Sequence, residues 1–147
     1  MPHNHTPARV LVVEDDRSIL DLVLTRLQIA GYRTTFARDG AAALKAVRMT
    51  TPQAMVLDLN MPGLDGFDVL RRLKELGLAI PPTLVLTARN APRDVSEIIR
   101  LGARDYLTKP FRDQDLLARV ARLLRHRPAP VVENRLPAEP WNDFAID

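Results

Sequence analysis

The sequence contains no cysteine among its 147 residues and no long apolar run. Without cysteine there can be no disulfide, zinc–thiolate site or cysteine nucleophile. No apolar run approaches the roughly 20 residues of a membrane helix, and the polar stretch 1–8 lacks the apolar core of a signal peptide. We therefore expect a cytoplasmic protein with no membrane contact.

The bulk composition is that of an ordinary globular domain. Apolar residues make up 46% and charged residues 27% of the chain, and the formal net charge is +3. This length suits one domain with a real core. So modest a basic excess does not by itself predict a nucleic-acid partner.

Four short apolar runs each end in polar residues that can do chemistry. Runs 10–13 and 54–57 lead into Glu14-Asp15-Asp16 and Asp58, and runs 84–86 and 106–108 lead into Thr87 and Lys109-Pro110-Phe111. If these runs are parallel strands of one sheet, their polar ends share one edge. Open α/β sheets bind ligands at that edge.

Helix-like segments alternate with the strand-like runs. We predict strands over 10–13, 32–37, 54–58, 83–87 and 105–108, and helices over 19–30, 41–49, 67–76, 95–101 and 114–126. Strict alternation predicts a doubly wound α/β fold with a parallel sheet. The runs 10–13 and 54–57 are apolar throughout, as in central strands that are buried on both faces.

The sequence divides into three parts. Residues 1–8 form a polar N-terminus, 9–127 the predicted domain, and 128–147 a proline-rich linker or tail. The last seven residues regain apolar character but are too few to fold alone. We expect the tail to lead toward a further domain that this chain does not contain.

The acidic cluster favours a divalent cation. Glu14, Asp15 and Asp58 at one edge would repel one another as anions unless a cation or a lysine compensates them. Mg²⁺ prefers oxygen ligands and needs only one or two carboxylates beside a phosphate. The alternative is that each acid separately caps a helix or turn, but this does not explain all four strand ends together.

Asp58 is the candidate nucleophile, because a carboxylate can attack a phosphoryl group to form an aspartyl phosphate. Mg²⁺ would offset charge during the transfer. Lys109 would pair with a phosphoryl oxygen, and the Thr87 hydroxyl would move toward the new charge.

Taken together, these residues resemble the receiver domain of two-component response regulators. The matching strings are VLVVEDD (10–16), MVLDLNMPGLDG (55–66), LVLTAR (84–89) and GARDYLTKPF (102–111). The resemblance implies a flavodoxin-like fold with strand order 2-1-3-4-5 and phosphorylation of Asp58 by a histidine kinase. It also implies that Asp15, Asp58 and the Asn60 backbone carbonyl bind Mg²⁺, with Glu14 acting through water. By the same resemblance, Lys109 contacts the phosphate, and Thr87 and Tyr106 form a switch pair.

The resemblance also implies partners. In receivers the kinase docks on the first helix, where the exposed Leu22 and the border residue Ile19 lie outside the core face formed by Leu20, Val23, Leu24, Leu27 and Ala30. The last helix resembles the OmpR/PhoB class, which dimerises through helix 4, strand 5 and helix 5 and binds DNA through a separate output domain. Arg104 stands where that class commonly has an acid, which leaves the homodimer in doubt.

Two other functions share parts of this residue pattern. A haloacid-dehalogenase-like Mg²⁺ phosphatase also uses an aspartate nucleophile, but after its first strand and with another aspartate two residues on, where this chain has Asn60. A flavodoxin-like FMN carrier needs a hydroxyl- and glycine-rich phosphate loop after strand 1, whereas Glu14-Asp15-Asp16 would repel a phosphate. We therefore predict a phosphorylation-controlled switch, with the phosphatase as the alternative.

Overall fold

Five parallel strands form one sheet in the order β2-β1-β3-β4-β5. The computed structural model describes residues 6–88 and 92–125. The strands are β1 (Arg9–Val13), β2 (Arg33–Ala37), β3 (Ala54–Asp58), β4 (Thr83–Thr87) and β5 (Asp105–Thr108). The predicted flavodoxin-like α/β fold and its strand order are confirmed.

Five helices connect and follow the strands, and they begin slightly before their predicted starts. They are α1 (Arg17–Ile29), α2 (Gly40–Thr50), α3 (Gly66–Glu75), α4 (Pro92–Arg100) and α5 (Asp113–Arg125). Aspartates 16, 39 and 65 explain three of the earlier starts, because each accepts a hydrogen bond from a backbone N–H of the first turn. The apolar periodicity that predicted these helices does not detect such caps.

Both faces of the sheet are covered by helices. On one face, Leu11, Val13, Met55 and Leu57 pack with buried residues of α2, α3 and α4. On the other, the alternate strand residues pack with buried residues of α1 and α5. The central strands β1 and β3 are therefore buried on both sides, as their unbroken apolar runs predicted.

The first helix turns Leu20, Val23 and Leu27 inward, and Leu24 is partly buried against them. Ala30, which the helical pattern placed on the same core face, is instead the exposed C-cap of α1. That prediction was wrong because the helix ends at Ile29, so the residue no longer packs on the sheet. Strand β2 lies at the sheet edge, as its polar sequence indicated.

No helix in the described ranges is long and apolar enough to cross a membrane. The predicted tail, 128–147, lies outside the residues that the structure describes.

Candidate functional site

Three carboxylates meet at the carboxyl edge of the two central strands. Glu14 and Asp15 directly follow β1, and Asp58 is the last residue of the neighbouring β3. One carboxylate oxygen of each lies within 4.8 Å of the others. Glu14 and Asp58 are buried and Asp15 is half-buried. The parallel register thus brings together the acids that the sequence predicted at one edge.

Lys109 joins this cluster from the loop after β5. Its Nζ lies 3.1 Å from Oδ1 of Asp58 and 3.2 Å from Oε1 of Glu14. Its backbone N–H donates to the Thr87 carbonyl at 2.8 Å, and the Lys109–Pro110 peptide bond is cis. Burial lowers the pKa of Lys109, but the hydrogen bond to Asp58 and the charges of both acids raise it by more. The lysine is therefore held as a cation against two carboxylates.

The Glu14 carboxyl group loses its proton less readily than an ordinary glutamate. Burial, followed by the hydrogen bond and the charge of Asp58, raises the pKa of Glu14 to about 7, although Lys109 opposes the shift. Its Oε2 accepts from the Asp16 N–H at 3.2 Å. Its buried Oε1 is close to Lys109 but has no partner with hydrogen-bond geometry in the described part of the chain. One lysine therefore incompletely compensates the acids.

Local capping accounts for one backbone hydrogen bond at each of Glu14, Asp16 and Asp58, because Glu14 and Asp58 also accept from the N–H two residues on. Asp16 caps α1 by accepting from the Ile19 N–H at 3.0 Å. Asp15 is not the cap of α1, and Glu14 and Asp58 face each other across neighbouring strands. Capping therefore does not explain the convergence of the other three acids.

The loop after β3 is shaped around Asp58. The Asn60 N–H donates to Oδ1 of Asp58 at 3.2 Å, and the Gly66 N–H donates to the Leu59 carbonyl at 3.0 Å. A Cβ atom on Gly66 would lie 2.9 Å from the Asp58 carbonyl oxygen and from the Leu59 Cα. Gly66 is the residue whose importance the sequence did not reveal, because a glycine in a loop signals a turn and not a close approach.

Thr87 and Tyr106 lie on one face of the sheet. Tyr106 is opposite Val85 in the register, and Thr87 is two residues beyond Val85. Side chains two apart on a strand point to the same face. Thr87 is buried and Tyr106 is half-buried. The register therefore places the predicted switch pair on the same face of two neighbouring strands.

The predicted docking residues lie in the first half of α1. Leu22 is 39% exposed and Ile19 is partly buried. Ile19 donates its backbone N–H to the cap residue Asp16, so these residues begin one turn into the helix that follows Asp15. Their part in docking stays a prediction.

The donor set fits a hard divalent cation. Such ions take carboxylate and carbonyl oxygens, and this edge offers three close carboxylates with one buried oxygen that lacks a hydrogen bond. Asp15, Asp58 and the Asn60 carbonyl are the residues that could hold the ion, and Glu14 could act through a water. A cation would relieve the repulsion that Lys109 leaves uncompensated.

A family profile decides the relationship of this chain to known proteins. The profile described as "Response regulator receiver domain" matches residues 10–121. The chain belongs to this family. The receiver domain is a signalling domain of two-component systems, and all four motifs that carried the resemblance lie inside the matched range.

Similar proteins agree with this assignment. The receiver is 41% identical over 141 residues to "Response regulator MprA" of Mycobacterium sp. (strain KMS). The aligned residues cover 96% of this chain and 60% of that protein. The protein of the same name from Mycobacterium avium (strain 104) is 40% identical over 139 residues, covering 95% and 60%. The chain thus spans about 60% of the length of these curated relatives.

Solved structures share the fold. Vibrio cholerae chemotaxis protein CheY4 superposes with a TM-score of 0.76 at 33% identity, covering 81% of this chain and all of that one. The receiver domain of the putative response regulator NarL from Mycobacterium tuberculosis superposes with a TM-score of 0.75 at 27% identity. The superposition covers 84% of this chain and all of that one. These likenesses support the same receiver fold.

Proposed function

We propose that this receiver is a phosphorylation-activated switch in which Asp58 accepts a phosphoryl group from a histidine kinase. The observation that carries the proposal is the position of Lys109 Nζ, within 3.2 Å of both Asp58 and Glu14. A carboxylate oxygen of Asp58 attacks phosphorus, the phosphorus–nitrogen bond of phosphohistidine breaks, and the electron pair stays on the imidazole nitrogen.

Each neighbour of Asp58 has a defined part in the transfer. Asp15, Asp58 and the Asn60 carbonyl would hold Mg²⁺, with Glu14 acting through water. When bound, Mg²⁺ supplies charge neutralisation for the transferred phosphoryl group. The Lys109 ammonium, already paired with Asp58, would contact a phosphoryl oxygen once the carboxylate is phosphorylated.

The switch rests on the placement of Thr87 and Tyr106. A phosphate adds a charge of about −1.5 to −2 at the end of β3, and β4 with Thr87 is the neighbouring strand. We propose that the Thr87 hydroxyl moves toward the phosphate and that the Tyr106 ring turns into the space it leaves. The surface formed by α4, β5 and α5 then changes shape. In this proposal the surface has two states, and the charge of the phosphate shifts the equilibrium between them.

Two partners follow from this proposal. The exposed Leu22 and the partly buried Ile19 are the proposed contacts of the kinase. The surface of α4, β5 and α5 is the proposed homodimer contact, where Arg119 now pairs with Asp105 of the same chain at 2.7 Å. In the OmpR/PhoB class the output is transcriptional, and a separate domain binds DNA. The curated relatives are longer than this chain, and we propose a DNA-binding domain of this kind for the longer protein.

The phosphatase alternative gains no support. Asp58 ends the third strand and not the first, and the position two residues on is Asn60. The family match and both solved structures are to receivers or response regulators. Self-dephosphorylation of Asp58 is the hydrolytic activity we propose.

One experiment tests the proposal directly. The chain is incubated with acetyl phosphate and Mg²⁺, and the phosphate adduct is located by mass spectrometry. We expect a single adduct on Asp58 that is lost with EDTA and in Asp58→Asn. The matched control is Asp21→Asn, an exposed carboxylate of α1, which should leave the adduct unchanged. Labelling that persists in Asp58→Asn would overturn the proposal.

A further inference from the structure

Strand β2 forms one edge of the sheet, and within the described part of the chain no strand lies on its outer side. The Arg33 N–H donates to the Ala8 carbonyl at 2.9 Å, so this residue directs its backbone toward β1. Successive strand residues direct their backbone groups to opposite sides. Thr34 and Phe36 therefore point their N–H and C=O groups outward, and the edge offers two donors and two acceptors to a further strand.

The features that usually block an edge strand are missing from β2. An open edge pairs readily with another chain unless proline, lysine, a bulge or a covering element prevents it. The strand contains neither proline nor lysine, and its register with β1 is unbroken over all 5 residues. Phe36 is 56% exposed, so neither α1 nor α2 covers this edge. The edge is therefore available for pairing.

Phe36 adds an apolar surface on the α1 side of this edge. It lies opposite Val12, which packs on the face that α1 and α5 cover. Gln28 of α1 donates to Oγ1 of Thr34 at 2.8 Å, which places the other outward residue on the same face. Aromatic side chains on paired strands stabilise each other across the strands. The favoured occupant is thus a strand with its own aromatic residue.

The charges along the edge select the partner. Arg33 and Asp39 are exposed, and neither belongs to an ion pair among the residues that the structure describes. Oδ1 of Asp39 accepts from the Ala42 N–H at 2.8 Å, which leaves the second carboxylate oxygen available. The edge thus has a cation at its start and an anion just past its end. An antiparallel copy of the same edge presents these charges in reverse order, as a self-complementary contact requires.

One antiparallel register satisfies all of these groups. With the two-fold axis at Phe36, the two copies of this residue lie opposite each other and exchange two N–H···O=C bonds. Arg33 then lies opposite Asp39 of the second copy, twice in each dimer. The two Arg33 residues are about 20 Å apart along the strands, too far to repel strongly. Moving the axis to Thr35 would separate the aromatic rings and the charge pairs by two residues.

The helices leave room for this pairing. Helices α1 and α2 pack over β1 and β2 on opposite faces of the sheet. An axis perpendicular to the sheet keeps the two α1 helices on one face, about two strand spacings or about 10 Å apart. Helices ordinarily pack at about 8–10 Å. Both layers therefore continue across the dimer without a clash.

We propose that a second copy of this chain pairs antiparallel with β2, with the two Phe36 residues opposite each other, to form one continuous sheet. The proposal does not rest on phosphorylation of Asp58. Strands β2 and β5 lie at opposite edges of the sheet, so this contact is separate from the surface of α4, β5 and α5. A copy that used both edges would link its neighbours in a row.

Sedimentation of the unphosphorylated chain over a range of concentrations tests the contact. We expect a reversible dimer whose dissociation constant rises about tenfold or more in Phe36→Glu, as for loss of a central aromatic contact. Met49→Glu, at another exposed apolar side chain, is the matched control and should leave the dimer unchanged. A chain that stays monomeric up to about 1 mM overturns the proposal and leaves the edge to other proteins. A dimer that is unaffected by Phe36→Glu also overturns it.

The absence of cysteine permits a sharper test of the register. Opposite residues of a hydrogen-bonded pair have Cα atoms about 5.5 Å apart, within the span of a disulfide. Phe36→Cys should therefore form a disulfide-linked dimer under mild oxidation, and Met49→Cys should not. Equal linkage of the two variants would show random collision and overturn the register.

The charge pairs are tested by Arg33→Gln and Asp39→Asn, because asparagine keeps the cap of α2. Each change should raise the dissociation constant about twofold to fivefold. The double variant should be no weaker than the weaker single one, since both remove the same contact. Additive losses would contradict the pairing of these residues. Circular dichroism confirms that each variant is folded.

Discussion

Nζ of Lys109 lies 3.1 Å from Oδ1 of Asp58, although the two residues are 51 positions apart in sequence. The same ammonium lies 3.2 Å from Glu14. It therefore occupies the position from which a cation can compensate the resting carboxylates and then contact a phosphate on Asp58.

Removal of this ammonium should separate phosphorylation from its consequence. Lys109→Ala should still accept some phosphate from acetyl phosphate, since the carboxylate nucleophile remains. We expect a much smaller change in hydrogen exchange over α4, β5 and α5 on phosphorylation. Lys45→Ala, on the exposed face of α2, serves as the control. A full response in Lys109→Ala would contradict the role of the lysine.

Metal binding should stabilise the folded chain through Asp15. A ligand at ten times its dissociation constant adds about 1.4 kcal/mol to the free energy of unfolding. We expect Mg²⁺ to raise the thermal midpoint of the chain and EDTA to reverse the effect. Asp15→Asn should lose most of this gain and Asp21→Asn should keep it. Equal stabilisation of both variants would argue against a site at Asp15.

Glu14 should make the metal-free protein less stable as the pH rises. Its pKa is about 7 in the fold against an ordinary 4.5, so the folded state holds the proton more tightly. Its stabilising contribution is complete below pH 4.5 and is lost as the pH rises through 7. In EDTA, Glu14→Gln should therefore exceed the unmodified chain in stability at pH 8 by about 1–3 kcal/mol and match it near pH 4.5.

Urea unfolding at the two pH values measures this difference. Glu75→Gln is the control, because Glu75 is exposed near the end of α3. The prediction fails if Glu14→Gln shifts stability equally at both pH values.

Gly66 should be indispensable to the shape of the site. In Gly66→Ala the new methyl group would lie 2.9 Å from backbone atoms of Asp58 and Leu59, which cannot move as a side-chain end can. We expect a loss of about 1–3 kcal/mol and slower phosphorylation of Asp58. Gly31→Ala has open space at its Cβ but a φ of +100°. It should lose stability through backbone strain without slowing phosphorylation, and equal rates in the two variants would refute the packing argument.

The kinase contact should depend on the start of α1. Leu22→Ala removes an exposed side chain in the first half of α1, and Ile29→Ala removes one at the far end of the same helix. We expect Leu22→Ala to slow transfer from a phosphorylated histidine kinase while acetyl phosphate still labels Asp58 at the normal rate. Ile29→Ala should change neither rate. Slowing of both reactions by Leu22→Ala would indicate a damaged site instead.

The sequence by itself determined the order and type of every strand and helix. Unbroken apolar runs at β1 and β3 required burial on both faces, and strict alternation then required parallel strands whose polar ends share one edge. That argument placed Glu14, Asp15, Asp58, Thr87 and Lys109 together. It succeeded because strand polarity and hydrophobic burial are encoded locally.

Only the tertiary structure decided what depends on distances between remote segments. The contact of Lys109 with two acids, the raised pKa of Glu14 and the close approach at Gly66 all arise from strand register and loop packing. The exposed end of α1 at Ala30 likewise depends on where that helix ends. Hydrophobic periodicity specifies which face of an element is buried but not which atoms meet, because that is fixed by the packing of all elements at once.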